Sequence, residues 1–188
     1  EINGVNSWNT LNVEDMSCMF NYTGYNVPVL NIDLTGLDTD NVTNMEYMFQ
    51  YAGSNSSNFN LSGISNWNTE KVTNMSYMFS AAGSNDASLH VDLSGWNTKS
   101  ATNMYGMFAD CKKLEMLTLG KDFKFVGTDE CLQAPNSNYI TGADGKWYNI
   151  KTCMGYTPDN VHKNATEAAT YVSVAYDIIY QLNGGSIG

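Results

Sequence analysis

Apolar residues recur at helical spacing in four segments of the chain. In the third segment Met75, Met78, Phe79 and Ala82 occupy positions i, i+3, i+4 and i+7, which lie on one face of a helix. The four copies close on Phe20, Phe49, Phe79 and Phe108, which are 29, 30 and 29 residues apart. A fixed period of this length predicts stacked repeats. Each helix is too short to be stable alone, so we expect its apolar stripe to be buried against neighbouring copies.

The residues that flank these segments favour the same interpretation. Asp and Asn are among the strongest helix N-caps, and one of them stands directly before the first Met of each copy. These residues are Asp15, Asn44, Asn74 and Asn103. Thr43 and Glu46 offer a capping box that begins the second helix one residue earlier. Gly53 and Gly83 follow two of the segments and are candidates for left-handed C-caps.

Between the predicted helices, apolar residues alternate with polar ones, which is typical of strands with one buried face. Residues 30–34 and 89–93 alternate throughout, residues 59–61 form a shorter version, and residues 114–119 add a strand with leucine-rich-repeat spacing. A strand and a helix repeated every 29–30 residues leave the strands parallel. We therefore predict an α/β fold. It is a right-handed, leucine-rich-repeat-like solenoid with a parallel sheet on one side, short helices on the other, and a C-terminal capping module.

The connections from strand to helix alternate between two lengths. Residues 2–8 match residues 61–67, with six residues from the end of the strand to the Trp, whereas residues 34–37 match residues 93–96, with three. Copies of the same kind are therefore 59 residues apart, as Trp8 and Trp67 are. Both a duplicated two-repeat block and a functional ridge of alternate turns explain this pattern.

Charge and hydropathy exclude two classes of partner. The net charge is −10, and all nine basic residues are lysines. Because the bidentate fork of Arg, which phosphate favours, is missing, we expect no nucleic-acid partner. No apolar run is long enough to cross a bilayer, so we predict no membrane insertion for this chain. The sequence shows no signal peptide and opens within a repeat, which predicts a piece of a longer protein.

The cysteines do not indicate a metal site, because none forms a CxxC pair. Cys111 takes the last position of the apolar stripe, which predicts a buried thiol, and Cys18 lies beside the stripe. Cys131 and Cys153 are the only plausible bridge, and two cysteines alone leave the thiol and disulfide states both open. We expect no cofactor.

Catalytic motifs are sparse. His90 and His162 are the only side chains that titrate as bases near neutral pH, and neither lies within a serine or cysteine nucleophile motif. His90 stands two residues from Asp92 on the polar face of a predicted strand, which favours a solvated pair. The chain is therefore not predicted to be an enzyme. Three tryptophans either stack against sugars or pack in the core, and their fixed place in the repeat favours packing: Trp8, Trp67 and Trp96.

Two runs of sequence carry a specific resemblance: LSGISNWNTEKVTNMSYMF at residues 61–79 and DLSGWNTKSATNMYGMF at residues 92–108. They resemble the repeats of BspA-like leucine-rich-repeat surface proteins, a type also found in many mycoplasma lipoproteins. The resemblance covers about residues 1–120 and implies a secreted or cell-wall-attached bacterial protein, usually discussed as an adhesin. The repeats are longer than the commoner unit of that family, with extra residues near 53–58 and 83–88.

We divide the chain into three parts. Residues 1–119 form the repeats, with about four copies and a fifth strand. Residues 120–176 form the C-terminal cap, with strands at 146–150 and 170–176 and a short helix that begins at Pro158. Residues 177–188 are the start of a next module or a tail, because residues 176–185 resemble the first strand of a Listeria–Bacteroides-type repeat.

The predicted function is adhesion or ligand binding, without catalysis, at a bacterial cell surface. The expected location is extracellular. The expected partner is a protein or glycan of the host surface, the extracellular matrix or a neighbouring cell, bound by a monomer. The alternatives are a structural spacer and, more distantly, a carbohydrate-processing enzyme. Exposed aromatic clusters would favour binding, an evenly polar surface would favour the spacer, and a paired-carboxylate cleft would favour the enzyme.

The candidate binding site is the polar face of the predicted sheet. Outward residues of neighbouring strands line up in stacked repeats, and such surfaces commonly bind ligands. Alternation places six residues there: Asn31, Asp33, Asn60, His90, Asp92 and Thr118. Together they form an acidic, amide-rich ladder suited to hydrogen-bonding a protein or glycan and to attracting a basic partner. A merely solvated sheet face is the alternative.

Overall fold

Seven strands and three short 3-10 helices make up the regular structure in the computed structural model, which describes residues 2, 4–85, 88–127 and 131–175. The strands are β1 Val29–Asp33, β2 Asn58–Ser62, β3 Leu89–Leu93, β4 Leu114–Leu119, β5 Trp147–Asn149, β6 Gly155–Tyr156 and β7 Ala169–Val172. The 3-10 helices are Val5–Ser7, Ile64–Asn66 and Pro158–Asn160. These ranges contain no α-helix.

The strands form two sheets. Strands β1 and β2 pair in parallel, with Val29 opposite Asn58. The second sheet has the order β3-β4-β7-β5-β6; β3 and β4 are parallel, whereas β7 is antiparallel to both β4 and β5. The predicted repeat strands therefore exist and run parallel within each pair, and the C-terminal strands extend the second sheet across the edge of β4.

The predicted α/β solenoid is wrong, because the four segments predicted as helices are hydrogen-bonded turns. We call residues 16–23, 45–52, 75–82 and 104–111 the Met–Phe segments. In the second one, the amide of Met48 donates to the carbonyl of Met45 (3.3 Å) and the amide of Ala52 to that of Phe49 (3.0 Å). Tyr47 and Tyr51 have φ values of 56° and 57°, and a left-handed residue in every four interrupts a right-handed helix. Nor do the strands form the one continuous sheet that the prediction required.

A series of four-residue turns buries the same apolar positions that a helix would bury. Met45, Met48, Phe49 and Ala52 are fully buried, as the predicted stripe requires. Successive four-residue turns return the chain to the core at i, i+3, i+4 and i+7, so burial follows the pattern although the helix does not form.

Backbone hydrogen bonds between repeats hold these turns in register. Alternate amides of the second Met–Phe segment donate to carbonyls of the third over 2.8–3.0 Å. The donors are Met45, Tyr47, Phe49 and Tyr51, and the acceptors are Asn74, Ser76, Met78 and Ser80. The same bonds join the first segment to the second and the third to the fourth. Inside them the closing phenylalanines stack at centroid distances of 5.3–5.4 Å.

The two lengths of connection are visible as two structures. The longer ones form the 3-10 helices Val5–Ser7 and Ile64–Asn66, whereas the shorter ones run past them through Gly36 and Gly95. A Cβ on Gly36 would overlap the carbonyl oxygen of Asn6, and one on Gly95 would overlap that of Ser65. Glycine in the short connection therefore permits the close approach of the longer connection in the preceding repeat.

The C-terminal region closes the repeats with its own buried side chains. Trp147, Tyr171 and Phe123 lie in the core that the repeats share. The short helix predicted at Pro158 is a 3-10 helix with Pro in its first turn. The strands predicted at 146–150 and 170–176 are β5 and β7, although β7 ends earlier. The module predicted from residue 177 onward lies outside the described residues.

The cysteines occupy the environments that the repeat alignment predicts for them. Cys111 is buried, and its thiol donates to the carbonyl of Phe79 (2.9 Å). Burial raises the pKa of Cys111 to about 12. Cys18 is exposed. The structure does not join Cys131 to Cys153: the first is buried and the second exposed, and both are thiols.

Candidate functional site

The predicted polar ladder is divided between the two sheets. In the first sheet Asn31 lies opposite Asn60, and Asp33 lies opposite Ser62. In the second sheet Asp92 lies opposite Thr118, whereas His90 lies opposite Met116. The structure thus pairs four of the six predicted residues with one another, and it does not place all six on one continuous sheet.

Most of these side chains bind their own surroundings. The Asp33 carboxylate accepts hydrogen bonds from the amide (3.1 Å) and hydroxyl (2.8 Å) of Thr35, and these bonds lower its pKa. Asp92 accepts from the amide of Ser94 (2.9 Å). The Thr118 hydroxyl lies 3.0 Å from the Thr170 hydroxyl. Such bonds stabilise turns and strand pairs, and ligand binding by this face stays a prediction.

Tyrosines form a row on the outside of the Met–Phe segments. Tyr47 and Tyr77 occupy the same repeat position, and their rings stack with centroids 5.2 Å apart. The ring of Tyr105 follows at 5.3 Å from Tyr77, inclined at 69°. Tyr105 is 47% exposed. A large aromatic side chain that is half exposed offers both an apolar face and a hydroxyl to a ligand.

Glycine interrupts this row in the fourth repeat. Gly106 stands where Tyr47 and Tyr77 stand, and its φ of 63° matches the left-handed backbone of those residues. The Tyr77 ring leans over it: a Cβ on Gly106 would lie 2.6 Å from the ring carbon Cε1. The missing side chain leaves a step at the end of the row.

A cleft of about 520 Å³ lies at this step, between the repeats and the C-terminal region. We call it the tyrosine groove and define it by Tyr77, Tyr105, Gly106, Gln133, Pro158 and Asp159. The Gln133 side chain is held by the amide of Asp110 (3.1 Å), and Pro158 begins a 3-10 helix that presents Asp159. Among the described residues that line the groove, Asp159 is the one charged side chain.

A second aromatic cluster lies on the first two repeats. The Tyr22 and Tyr51 rings stack at 4.6 Å, and the Tyr25 ring lies 5.6 Å from Tyr22. Tyr22 is 54% exposed. A ladder of amide hydrogen bonds, each 2.8 Å long, runs next to the cluster through Asn85, Asn55 and Asn26.

Comparison with known proteins connects the repeats to a family. A family model described as "Mycoplasma protein of unknown function, DUF285" matches residues 26–126, more than half of the chain. The chain belongs to this family. No curated protein and no solved structure matches it significantly. The matched residues of this DUF285 chain include Tyr77 and Tyr105, whereas Pro158 and Asp159 lie outside the match. One side of the groove is therefore formed by residues that the family model covers, and the other side by the C-terminal region.

Sequence reasoning overlooked the tyrosines because it treated their positions as the flanks of a helix. Two signals were available: Tyr recurs at the same repeat position in 47 and 77, and again in 22 and 51, and Gly106 replaces it once. A residue that changes from Tyr to Gly at a fixed repeat position indicates a left-handed backbone.

The tryptophans pack as predicted in two of three cases. Trp67 and Trp96 are buried, and their rings stack at 6.2 Å. Their indole N–H groups donate to the carbonyls of Leu34 (3.5 Å) and Ile64 (2.7 Å). Trp8 is about half exposed and stacks on Phe20 at 6.3 Å.

A further cleft, of about 620 Å³, lies within the C-terminal region of this DUF285 chain. His162 lies at its base, with Nε2 2.7 Å from the carbonyl of Gly120 and Nδ1 3.2 Å from the Tyr171 hydroxyl. Burial lowers the pKa of His162. Both ring nitrogens are thus engaged by the protein, which makes His162 a structural residue. At the rim, Lys151 and Glu167 form an exposed ion pair (2.7 Å).

Two further observations concern metals and membranes. Within the described ranges, no three His, Cys, Asp or Glu side chains are grouped so that they would hold a metal ion. The described part of the chain also has no helix with the length and apolar character needed to span a bilayer.

Proposed function

We propose that this DUF285 chain is a non-enzymatic ligand-binding domain of a bacterial surface protein, and that it adheres to its partner through exposed tyrosines. The observation that carries the proposal is the tyrosine groove, where the half-exposed ring of Tyr105 borders a cleft of about 520 Å³. Tyr is enriched in binding surfaces because its rigid ring offers a large contact area and a polar hydroxyl.

The surface location rests on the family match and on the resemblance of the repeats to BspA-like surface proteins. Both point to bacterial proteins of mycoplasma type. We propose an extracellular location, a monomeric state, and a partner that is a protein or glycan of a host or a neighbouring cell. The exposed aromatic clusters favour binding over a spacer role, because a purely structural surface has no need of half-exposed rings.

The test is a binding screen with two matched variants. The purified chain is screened against host matrix proteins and a glycan array, in parallel with Tyr105→Ala and Tyr139→Ala. Tyr139 is a similarly exposed tyrosine outside the groove, and it serves as the control. We expect at least one ligand to bind the wild type and Tyr139→Ala alike and to bind Tyr105→Ala at least tenfold more weakly. Equal binding of every ligand to both variants would contradict the proposal.

A structural spacer is the second candidate, and one observation favours it. The strand faces in the described residues are polar, and Asp33 and Asp92 bond to the turns that follow their own strands. A spacer predicts no ligand in the screen. A carbohydrate-processing enzyme requires two facing carboxylates, and the described lining of the tyrosine groove supplies one, Asp159.

A further inference from the structure

We propose that the tyrosine groove binds a cationic side chain, Lys or Arg, on a basic segment of a partner protein. This inference rests on the proposed function and names the ligand chemistry of the same site. It follows from three features of the groove: its aromatic wall, its single carboxylate and the charge of the surrounding chain.

The wall and the carboxylate together suit a cation. The Tyr77 and Tyr105 rings are inclined at 69° to each other and form a corner at one side of the groove. An ammonium or guanidinium group near the face of a ring is attracted by the negative potential there. On the other side Asp159, an exposed carboxylate next to the rigid Pro158, offers an ion pair to the same group.

The chain forms a contact of this kind elsewhere. Lys112 Nζ lies 5.3 Å from the centroid of the Tyr139 ring, on the neighbouring cleft between the repeats and the C-terminal region. That pair is made within the chain. In the tyrosine groove the described lining has two tyrosine rings and a carboxylate but no lysine.

The surrounding charges favour the same ligand. Glu46 directly precedes Tyr47 in the sequence. Burial is the main cause that raises the pKa of Tyr47, and the negative charge of Glu46 is the second cause. The whole chain carries −10, which attracts a basic segment over a longer range. Lys124 and Lys163 line a second cleft, which shares Pro158 and Asp159 with the groove. Lys124 is held there by its bond to the carbonyl of Ala165 (2.7 Å).

A neutral glycan is the main competing ligand, because sugars also stack on tyrosine rings. The two ligands differ in what they require. A cation requires the charge of Asp159 and loses affinity as salt screens it, whereas stacking of a neutral sugar depends on neither.

The experiment measures fluorescence anisotropy of labelled probes with the whole chain. One probe is a twelve-residue peptide that alternates Gly with Lys and Arg, the second replaces each Lys and Arg with Gln, and the third is maltohexaose. The variants are Asp159→Asn and Tyr105→Ala. Glu14→Gln is the control, since it removes the same charge from an exposed residue of the first repeat, outside the groove. Equal thermal unfolding midpoints establish that the variants fold.

We expect the wild type to bind the basic peptide and to bind it more weakly at higher salt. Asp159→Asn and Tyr105→Ala should each weaken this binding about tenfold or more, whereas Glu14→Gln should change it less than twofold. The Gln peptide and maltohexaose should bind more weakly than the basic peptide by a similar factor.

Three results would overturn the inference. If Glu14→Gln weakens binding as much as Asp159→Asn, the attraction is a general effect of net charge. If the wild type does not bind the basic peptide, the groove does not take a cation. If maltohexaose binds and is lost in Tyr105→Ala but not in Asp159→Asn, the ligand is neutral; the proposed function then stands while the cation inference fails.

Discussion

Single polar side chains in this chain chiefly satisfy backbone groups. The Asn44 side chain accepts a hydrogen bond from the amide of Glu46 (3.1 Å), and Asn74 and Asn103 accept equivalent bonds. These residues were predicted as helix N-caps. The bond to an amide two residues further on also defines an Asx-turn, so the residue chemistry was predictable from sequence although the element was not.

The single residue His162 makes the free energy of unfolding depend on pH. Its Nε2 donates to the carbonyl of Gly120, and when the buried ring is neutral its Nδ1 accepts from the Tyr171 hydroxyl. Because burial lowers its pKa, the unfolded chain takes up the proton first as pH falls. The contribution of neutral His162 to the free energy of unfolding is therefore fully present above its unfolded pKa of about 6.5, and it is lost as the pH falls below that value.

The variant His162→Gln cannot titrate, so its free energy of unfolding should change less between pH 7.5 and pH 5.5 than that of the wild type. Urea unfolding at the two pH values measures this. Asp15 and Asp33, whose pKa values are also lowered, act at more acidic pH and do not interfere. The same pH dependence in both proteins would show that His162 is not the group responsible.

At the scale of elements, strands were predictable and turns were not. β3 has the predicted bounds, and β1 and β2 differ from theirs by one residue at each end, because period-two alternation follows directly from one buried face. The Met–Phe segments were misassigned because helix and four-residue turns bury the same positions. The turns differ from a helix because alternate amides donate hydrogen bonds to the next repeat. The sequence of a single repeat does not reveal these bonds.

A Thr recurs at one position of each repeat, and its side chain joins neighbouring repeats by hydrogen bonds. Thr69 is fully buried; its hydroxyl donates to the carbonyl of Asn97 (3.0 Å) and accepts from the amide of the same residue (3.0 Å). The structure places those groups in the neighbouring repeat.

Thr69→Val should therefore destabilise the chain by about 1–3 kcal/mol, because it keeps the shape and leaves the part-buried amide and carbonyl of Asn97 without the Thr69 hydroxyl. Thr73→Val is the control: Thr73 is exposed, and the carbonyl of Thr43 to which its hydroxyl donates also accepts the Thr73 amide (2.8 Å). Free energies from urea unfolding compare the two. Equal losses would show that Thr69 does not join the repeats.

At the scale of the whole molecule, the tyrosine groove arises where the repeats meet the C-terminal region. Tyr105 and Asp159 are more than fifty residues apart, and no periodic pattern relates them. Sequence reasoning treated the two regions separately and placed the site on the strands, where alternation gives a direct signal. A site formed by the docking of one region on another required the structure.

The fold and the groove both depend on the claim that each Met–Phe segment is a series of turns with a left-handed residue at every fourth position. Cys18 is the position that tests it, because it is exposed, has a φ of 58° and is equivalent to Gly106. The measurement is the difference in free energy of unfolding between Cys18→Gly and Cys18→Ala. A left-handed residue favours Gly by about 1–2 kcal/mol, whereas a helix interior favours Ala by about 1 kcal/mol. We expect Cys18→Gly to have the larger free energy of unfolding. A larger value for Cys18→Ala would contradict a left-handed backbone at this position.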